Sequence, residues 1–310
     1  MPLDQDRMDE PASNAIARVA ARLKAARAVA VITGAGISAE SGVPTFRGGR
    51  ESGAGQGSLA PRRCSGRSER QSKGASDRAW RGASLDGAQG ALSDVEGPAV
   101  PAIQEEALWR SYRPEDLATP EAFARDPALV WAWYRWRRRV IAGTRPNPGH
   151  VSLARLENRF EAFTLLTQNV DGLHREAGSR RLVELHGNIW RARCGREPWR
   201  VVDQRGDTSG DAVPRCSCGA PLRPDVVWFG EPLDQAALER AAQAVSTCEV
   251  LLVVGTSAVV YPVAVLPALA RRGQAMVVEV NVEETPLSAE SDAVLRGPSG
   301  VLLPELERLL

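Results

Sequence analysis

Short apolar runs alternate along this chain with longer stretches in which apolar residues recur at helical spacing. The short runs are rich in β-branched residues, which is typical of strands buried on both faces of a parallel sheet. The predicted strands are residues 29–33, 163–167, 249–254 and 276–280. The predicted helices are residues 15–27, 120–141, 148–158 and 264–272. Strands that alternate with helices indicate an α/β fold with a doubly wound parallel sheet.

Glycines and amide side chains follow the predicted strands. Gly34, Gln168, Gly255 and Asn281 each stand at or just after a strand end, where ligands bind in a doubly wound sheet. Gly34 and the glycine two positions later allow a tight turn that can approach a phosphate closely. The full dinucleotide fingerprint would have a third glycine where Ala39 stands. The two glycines alone are therefore also compatible with a plain tight turn.

One segment lacks any structural period. Residues 48–106 are rich in Gly, Ser, Arg, Ala and Gln, and such a composition buries too little apolar surface to offset chain entropy. We expect a disordered insert here, and the alternative is a sequence artefact such as a translated intron. Residues 1–14 are expected to form an N-terminal tail.

Composition limits the partners that the chain can attract. With 310 residues, 43% of them apolar, the chain can bury a large core. Its net charge of +1 provides no field for nucleic acid or anionic membranes, so we expect neither as a partner. The acidic first ten residues lack the apolar region of a signal peptide, and five cysteines are too few for a secreted disulfide scaffold. We therefore expect a cytoplasmic protein.

The chain contains three histidines, and each could in principle move a proton near pH 7. His150 lies near a predicted helix start and is interpreted as mostly structural. His174 is more easily explained as a buried, hydrogen-bonded residue than as a base. On residue type alone, His186 is equally compatible with a core position and with catalysis.

Six motifs together resemble the sirtuins, the NAD-dependent protein deacylases. They occur in the family's order, at residues 34–47, 168–174, 186–187, 223–231, 255–257 and 281–283. The resemblance implies a Rossmann-like doubly wound sheet, the sirtuin or DHS-like NAD-binding fold, in a catalytic domain that spans residues 15–310. It also implies a small zinc-ribbon-like module at residues 190–222. The products would be nicotinamide, free lysine and 2′-O-acyl-ADP-ribose.

The same resemblance assigns roles to individual residues. His186 would be the general base. The substrate peptide would pair with a strand formed by Val227, Trp228, Phe229, Gly230 and Glu231. The residues implied to bind NAD are Gly34, Ala35, Gly36, Ser38, Glu40, Phe46, Arg47, Gln168, Asn169, Val170, Asp171, Gly255, Thr256, Ser257, Asn281, Val282 and Glu283.

Tyr134 and Arg137 bear on the choice of acyl group. Their spacing places both on one face of a helix, and a guanidinium with a phenol hydroxyl can hold a carboxylate. In the desuccinylase-like class III sirtuins, a similar pair recognises succinyl-, malonyl- or glutaryl-lysine. The alternative is that Tyr134 and Arg137 belong to a charged helix face without a role in recognition. The substrate would then be acetyl-lysine. Other functions on this fold are ADP-ribosyl transfer, NAD hydrolysis, and NAD binding by an enzyme that the insert impairs.

The cysteines depart from the sirtuin pattern of two C-x-x-C pairs. Glu197 stands where the second thiol of the first pair is expected, three residues after Cys194. The second pair is compressed to Cys216 and Cys218. Three thiolates with Glu197 could bind zinc tetrahedrally, because zinc also accepts carboxylate oxygen. Loss of the metal is the equally compatible alternative.

Overall fold

The computed structural model describes residues 12–44, 112–205, 210 and 212–310. The strands in this part of the chain are β1 Ala28–Thr33, β2 Ala162–Thr167, β3 Leu182–Glu184, β4 Gly187–Cys194, β5 Val201–Asp203, β6 Leu222–Val226, β7 Val250–Val254, β8 Met276–Asn281 and β9 Ala293–Arg296. Six of them form a sheet in the order β3-β2-β1-β7-β8-β9, and all neighbours are parallel. This confirms the predicted doubly wound parallel sheet.

Helices cover both faces of the six-stranded sheet. The α-helices of the described ranges are α1 Ala12–Ala25, α2 Ala35–Ala39, α3 Pro114–Leu117, α4 Pro120–Arg125, α5 Pro127–Ala142, α6 Pro148–Leu156, α7 Leu173–Glu176, α8 Gln235–Thr247, α9 Leu266–Arg272 and α10 Ser299–Leu309. On one face, α1, α6 and α10 bury apolar residues against alternate strand positions. On the other face, α8 and α9 do the same. None of the helices described is long and apolar enough to cross a membrane.

A second, smaller unit lies beside the parallel sheet. It contains an antiparallel sheet in the order β5-β4-β6, together with helices α3 to α5. Trp131 of α5 is fully buried against this sheet and donates its indole N–H to the carbonyl oxygen of Leu222 at 2.9 Å. Because α5 also packs against Val170 and Leu173, it joins the small sheet to the edge of the large one.

The predicted helix at 120–141 is wrong as a single element. It is two helices, α4 and α5, which are separated at Asp126. Pro127 has no amide hydrogen and favours the first turn of a helix, while the Asp126 carboxylate accepts the Leu129 N–H at 2.9 Å. The other predicted helices and strands are present within one to three residues of their expected ends.

Some domain predictions remain predictions. The expected insert at 48–106 and residues 1–11 of the expected tail lie outside the described residues. The small sheet runs from Gly187 to Val226, so it includes the module expected at 190–222.

Candidate active site

Two turns at the carboxyl edge of the parallel sheet lie in direct contact. The Gly34 N–H donates to Val254 O at 3.0 Å, and the Gly36 N–H donates to Gly255 O at 2.7 Å. A Cβ on Gly34 would lie 2.6 Å from Cβ of Thr256, and one on Gly36 would lie 2.7 Å from Cα of Gly255. The glycines are therefore required by the contact between these turns, a reason that differs from the expected approach to a phosphate.

Amide side chains hold the strand-end motifs together. The Asn169 amide donates to the Ser38 hydroxyl at 3.0 Å. The Gln168 amide donates to the Thr256 hydroxyl at 3.0 Å, and the Asn281 amide donates to the Thr256 carbonyl at the same distance. The structure thus brings four of the predicted motifs to one edge. Carboxamides, hydroxyls and backbone N–H groups here are a donor set that suits the riboses and phosphates of a dinucleotide.

Asp171 supplies a carboxylate where the two units meet. It is buried, and one oxygen accepts the Leu173 N–H at 2.8 Å. Burial raises its pKa, and a hydrogen bond from Ser38 acts in the opposite direction. The Trp190 indole, from the small sheet, donates to the Asp171 carbonyl at 2.6 Å. Val170 beside it is buried in the core of the second unit.

His186 has the geometry of a general base. Its Nδ1 atom lies 2.9 Å from the carbonyl oxygen of Gln168. A carbonyl can only accept, so Nδ1 carries the proton and Nε2 is the basic atom. Burial lowers the pKa of His186, and the bond to Gln168 only partly offsets this. The imidazole is therefore neutral near pH 7 and able to take a proton.

The other two histidines, His150 and His174, are buried and contact hydroxyl groups of residues at the strand-end site. The His150 Nδ1 accepts the Asn147 N–H at 3.4 Å, so its Nε2 donates to the Ser38 hydroxyl at 3.4 Å. His174 contacts the Thr33 hydroxyl at 2.9 Å, and the two imidazole rings lie 4.7 Å apart. Burial lowers both pKa values, that of His150 to about 4. Their buried, hydrogen-bonded positions agree with the structural interpretation.

Tyr134 and Arg137 lie side by side on the buried face of α5. The Tyr134 hydroxyl accepts the Trp228 indole N–H at 2.9 Å, and burial raises its pKa to about 12. The Arg137 guanidinium, whose residue is 8% exposed, lies 5.2 Å from the centre of the Trp133 ring. Burial lowers the pKa of Arg137, while the charge of Asp171 acts to raise it. The pair is therefore electrostatically linked to the strand-end site.

With this geometry in place, comparison with known proteins identifies the family. The family model described as the Sir2 family matches residues 100–262. The chain belongs to the Sir2 family. The NAD-dependent protein deacylase 2 of Pyrobaculum aerophilum is 44% identical, and the match covers 93% of each chain.

Solved Sir2 structures have the same fold as this chain. The crystal structure of a Sir2 homolog–NAD complex has a TM-score of 0.71 at 34% identity and covers 94% of this chain and 92% of its own. The structure of Sir2Af2 bound to a myristoylated histone peptide has a TM-score of 0.63 at 26% identity, with 96% of each chain covered. The NAD complex supports the choice of NAD as the cofactor.

The segment after β6 is the one expected to pair with a substrate peptide, and its N–H groups make hydrogen bonds within the chain. The Val227 N–H donates to the His186 carbonyl, and the Phe229 N–H donates to Ala118, both at 2.9 Å. The Trp228 N–H donates to the Glu231 carboxylate at 2.9 Å. These N–H groups are therefore occupied within the chain, and the expectation that residues 227–231 bind a substrate peptide stays a prediction.

Gly230 and the Phe229 side chain are the exposed part of this segment. Gly230 has a φ of +84°, and Phe229 is 49% exposed. Glu231 is held by Arg223, whose guanidinium lies 3.4 Å from the centre of the Trp228 ring. The segment is thus a turn fixed by an ion pair, with one aromatic side chain exposed.

Glu40 has a structural role in this Sir2 chain. Its carboxylate accepts the N–H groups of Ser299 at 2.7 Å and of Gly300 at 2.9 Å. Carboxylates at helix N-termini satisfy N–H groups that have no partner within the helix. Glu40 therefore stabilises the start of α10, and its assignment to the cofactor stays a prediction. Phe46 and Arg47 lie outside the described residues.

Strand β8 contains a buried residue that the sequence analysis missed and that holds the loop after the strand. Glu279 is 1% exposed, and its carboxylate accepts hydrogen bonds from the Thr285 hydroxyl at 2.6 Å and from the Ser288 hydroxyl. The predicted cofactor residues Asn281, Val282 and Glu283 lie within the span that these bonds close. The sequence did contain a signal for the role of Glu279, because it is an acidic residue inside an otherwise apolar strand.

Two further residues that were predicted to bind the cofactor, Ala35 and Ser257, also lie at the carboxyl edge of the parallel sheet. Ala35 begins α2 directly after Gly34. Ser257 is exposed after the turn that contains Gly255, whose φ is +58°.

Three thiols converge in the small unit. The sulfur atoms of Cys194, Cys216 and Cys218 all lie within 4.8 Å of one another. A hydrogen bond from the Cys218 backbone lowers the pKa of Cys216 to about 7, which favours the thiolate that binds metal. The cluster is consistent with the zinc of the predicted module. The carboxylate of Glu197 lies outside it and pairs with Arg200 at 2.9 Å.

Proposed function

We propose that the chain is an NAD-dependent protein deacylase that prefers lysine acyl groups ending in a carboxylate, such as succinyl and malonyl. Membership of the Sir2 family and the activity in its relatives' names support the general reaction. The acylated histone peptide bound to Sir2Af2 supports protein lysines as the substrate class. The acyl preference rests on one observation of this chain, the buried pair Tyr134 and Arg137.

A buried guanidinium favours an anionic ligand. Removing a charge from water is costly, and an opposite charge with good hydrogen-bond geometry offsets that cost. Arg137 is buried beside Tyr134, whose hydroxyl oxygen already accepts a hydrogen bond from the Trp228 indole N–H and so has its own O–H available to donate. A carboxylate between these groups would receive a planar guanidinium fork and a phenol donor.

Each residue of the strand-end site has a defined role in the proposed reaction. NAD supplies an electrophilic ribose carbon and a neutral leaving group, nicotinamide. Asn169 and Asp171 bind the carboxamide and the neighbouring ribose, and Gln168 binds ribose hydroxyls. His186 takes a proton from a ribose hydroxyl at Nε2, because its Nδ1 proton is held by Gln168.

The test is mass-spectrometric turnover of matched succinyl-, malonyl- and acetyl-lysine peptides, with and without NAD. Arg137→Met should lower kcat/KM for the succinyl peptide by about 30- to 3,000-fold, because losing one partner of a buried charge pair costs roughly 2–5 kcal/mol. Turnover of the acetyl peptide should change little. Arg139→Met, at an exposed position of the same helix, is the matched control.

Two outcomes would reject parts of this proposal. Equal losses on the succinyl and acetyl peptides would show that Arg137 does not read the acyl carboxylate. Consumption of NAD without loss of any acyl group would instead indicate a glycohydrolase or ADP-ribosyltransferase.

A further inference from the structure

A buried side-chain hydrogen bond closes the short turn that carries His186. The Asn188 amide donates to the Glu184 carboxylate at 2.7 Å. Glu184 is the last residue of β3 and Asn188 is the second residue of β4, so this Glu184–Asn188 bridge joins the two sheets across His186 and Gly187. The Glu184 side chain is 7% exposed and Asn188 is 2% exposed. A hydrogen bond to a charged group at so buried a position is strong and costly to lose.

Two arginines hold the Glu184 carboxylate in place. Arg175 of α7 donates to it from Nε at 3.1 Å, and Arg191 of β4 donates from Nη1 at 2.8 Å. Burial acts to raise the pKa of Glu184, but the hydrogen bonds from Asn188 and Arg175 outweigh burial and hold the pKa below its usual value. Arg191 also donates from Nε to Asp225 of β6 at 2.8 Å. Glu184 is therefore an ionised, fixed acceptor for Asn188.

Gly187 confines the same turn from the other side. Its φ is +81°, and a Cβ at this position would overlap the carbonyl oxygen of Asp225. Only glycine fits such a close approach with a positive φ. The turn is therefore packed against β6 through its backbone and tied to β3 through the Glu184–Asn188 bridge.

The other end of the Asn188 amide is connected to Asp171. The Asn188 carbonyl oxygen accepts the Trp190 N–H at 2.9 Å. The Trp190 indole in turn donates to the Asp171 carbonyl at 2.6 Å. Because both ends of the amide are engaged, its orientation is fixed. Asn188 thus links the turn that carries His186 to the carboxylate residue expected beside the nicotinamide.

We propose that Asn188, held by Glu184, is a positioning residue for His186. The Glu184–Asn188 bridge keeps the turn in the arrangement in which Nδ1 of His186 lies 2.9 Å from the Gln168 carbonyl and Nε2 is left for the ribose hydroxyl. Without the bridge, the imidazole samples other orientations and is less often aligned with the substrate. The inference rests on the proposed function of His186 as the base and is independent of which acyl group is removed.

Four variants of the full chain test the bridge. Asn188→Ala removes the amide, Asn188→Asp places a second carboxylate beside Glu184, and Glu184→Gln removes the charge that the arginines hold. The double variant Glu184→Gln/Asn188→Asp exchanges acid and amide, so the bridge can form again with donor and acceptor reversed. Asn158→Ala, at an exposed position after α6, is the matched control.

The first readout is steady-state kinetics with the acyl-lysine peptide that the wild type turns over fastest. Each single variant should lower kcat by about 10- to 100-fold, the effect of a misplaced catalytic group. The KM for NAD should stay within about twofold, because the contacts of the cofactor are unchanged. The double variant should recover most of the lost kcat. A role in stability alone would lower Tm without this separation of kcat from KM.

The second readout needs no turnover. Nitrogen-15 NMR distinguishes imidazole tautomers, and His186→Ala identifies the signals of His186. We expect a single Nδ1–H tautomer in the wild type, the control and the double variant, and a mixture of tautomers in the single variants. Single variants with the wild-type kcat and a single Nδ1–H tautomer would overturn the proposal. So would a folded double variant that recovers neither kcat nor the tautomer.

Failure of the proposed function gives a different result. A wild type that removes no acyl group, or a His186→Ala variant that still removes it, would reject the proposed reaction or the proposed base. The tautomer comparison would still decide whether the Glu184–Asn188 bridge orients the imidazole.

Discussion

Glu279→Gln tests whether a buried carboxylate orders the loop that follows β8. In the wild type, Glu279 accepts hydrogen bonds from the hydroxyls of Thr285 and Ser288. Both hydroxyl oxygens already accept N–H groups, Thr285 from Leu287 and Ser288 from the Thr285 backbone and Arg296. Their own O–H groups are therefore committed to the carboxylate. A glutamine amide would direct a donor at one of them.

The expected cost follows from these contacts. Losing one hydrogen bond to a charged group, and leaving a buried hydroxyl unmatched, should destabilise the protein by about 2–3 kcal/mol. For a chain of this size, that corresponds to a fall in Tm of roughly 3–5 °C. Asn281 to Glu283 lie in the same loop. The KM for NAD should therefore rise about tenfold, equivalent to about 1.4 kcal/mol, with kcat within about twofold.

Thermal unfolding and steady-state kinetics with varied NAD measure both effects. Glu239→Gln is the matched control, because Glu239 is exposed on α8 and accepts a hydrogen bond from Gln235 on the same helix. It should leave Tm and KM unchanged. A Glu279→Gln enzyme with the wild-type KM and Tm would refute the reasoning, and so would a large loss of kcat at constant KM, which would indicate a role in the chemistry.

Two further predictions concern the strand-end site itself. Because burial lowers the pKa of His186 below its usual 6.5, protonation of this base requires a pH below 6.5. The midpoint of the acidic limb of the kcat/KM profile should therefore lie below pH 6.5. A midpoint above pH 6.5, for a limb that is absent in His186→Ala, would contradict this. Gly36→Ala should cost about 1–3 kcal/mol, because the new Cβ would lie 2.7 Å from the Gly255 backbone. Urea unfolding that shows no change would disprove the required contact between the turns.

The parallel sheet was predictable because its physical cause is local. Strands β1, β7 and β8 are buried on both faces, so each reads as a short apolar run regardless of its neighbours. The polar residues that follow those runs meet at one edge for the same topological reason. The division of residues 120–141 into two helices also had a local signal, the Asp126–Pro127 pair, which the helical spacing of apolar residues obscured.

The contacts that the sequence did not predict join residues that are distant in sequence. Glu40 caps a helix that begins at Ser299, and no local pattern connects them. The N–H groups of Val227 and Phe229 are satisfied by His186 and Ala118, which depends on how the small unit packs. The sequence alone could show that these residues are polar or extended, but not which partner each would meet.

The two sheets meet at His186, and this connects the proposed acyl recognition with the proposed cofactor chemistry. His186 stands between β3 of the parallel sheet and β4 of the small sheet. The His186 imidazole is oriented by the carbonyl of Gln168, and the His186 carbonyl accepts the N–H of Val227. The next residue, Trp228, donates its indole N–H to the Tyr134 hydroxyl. A shift of residues 227–228 would therefore move the backbone of His186. We expect substitutions at Trp228 to change kcat as well as acyl preference for this reason.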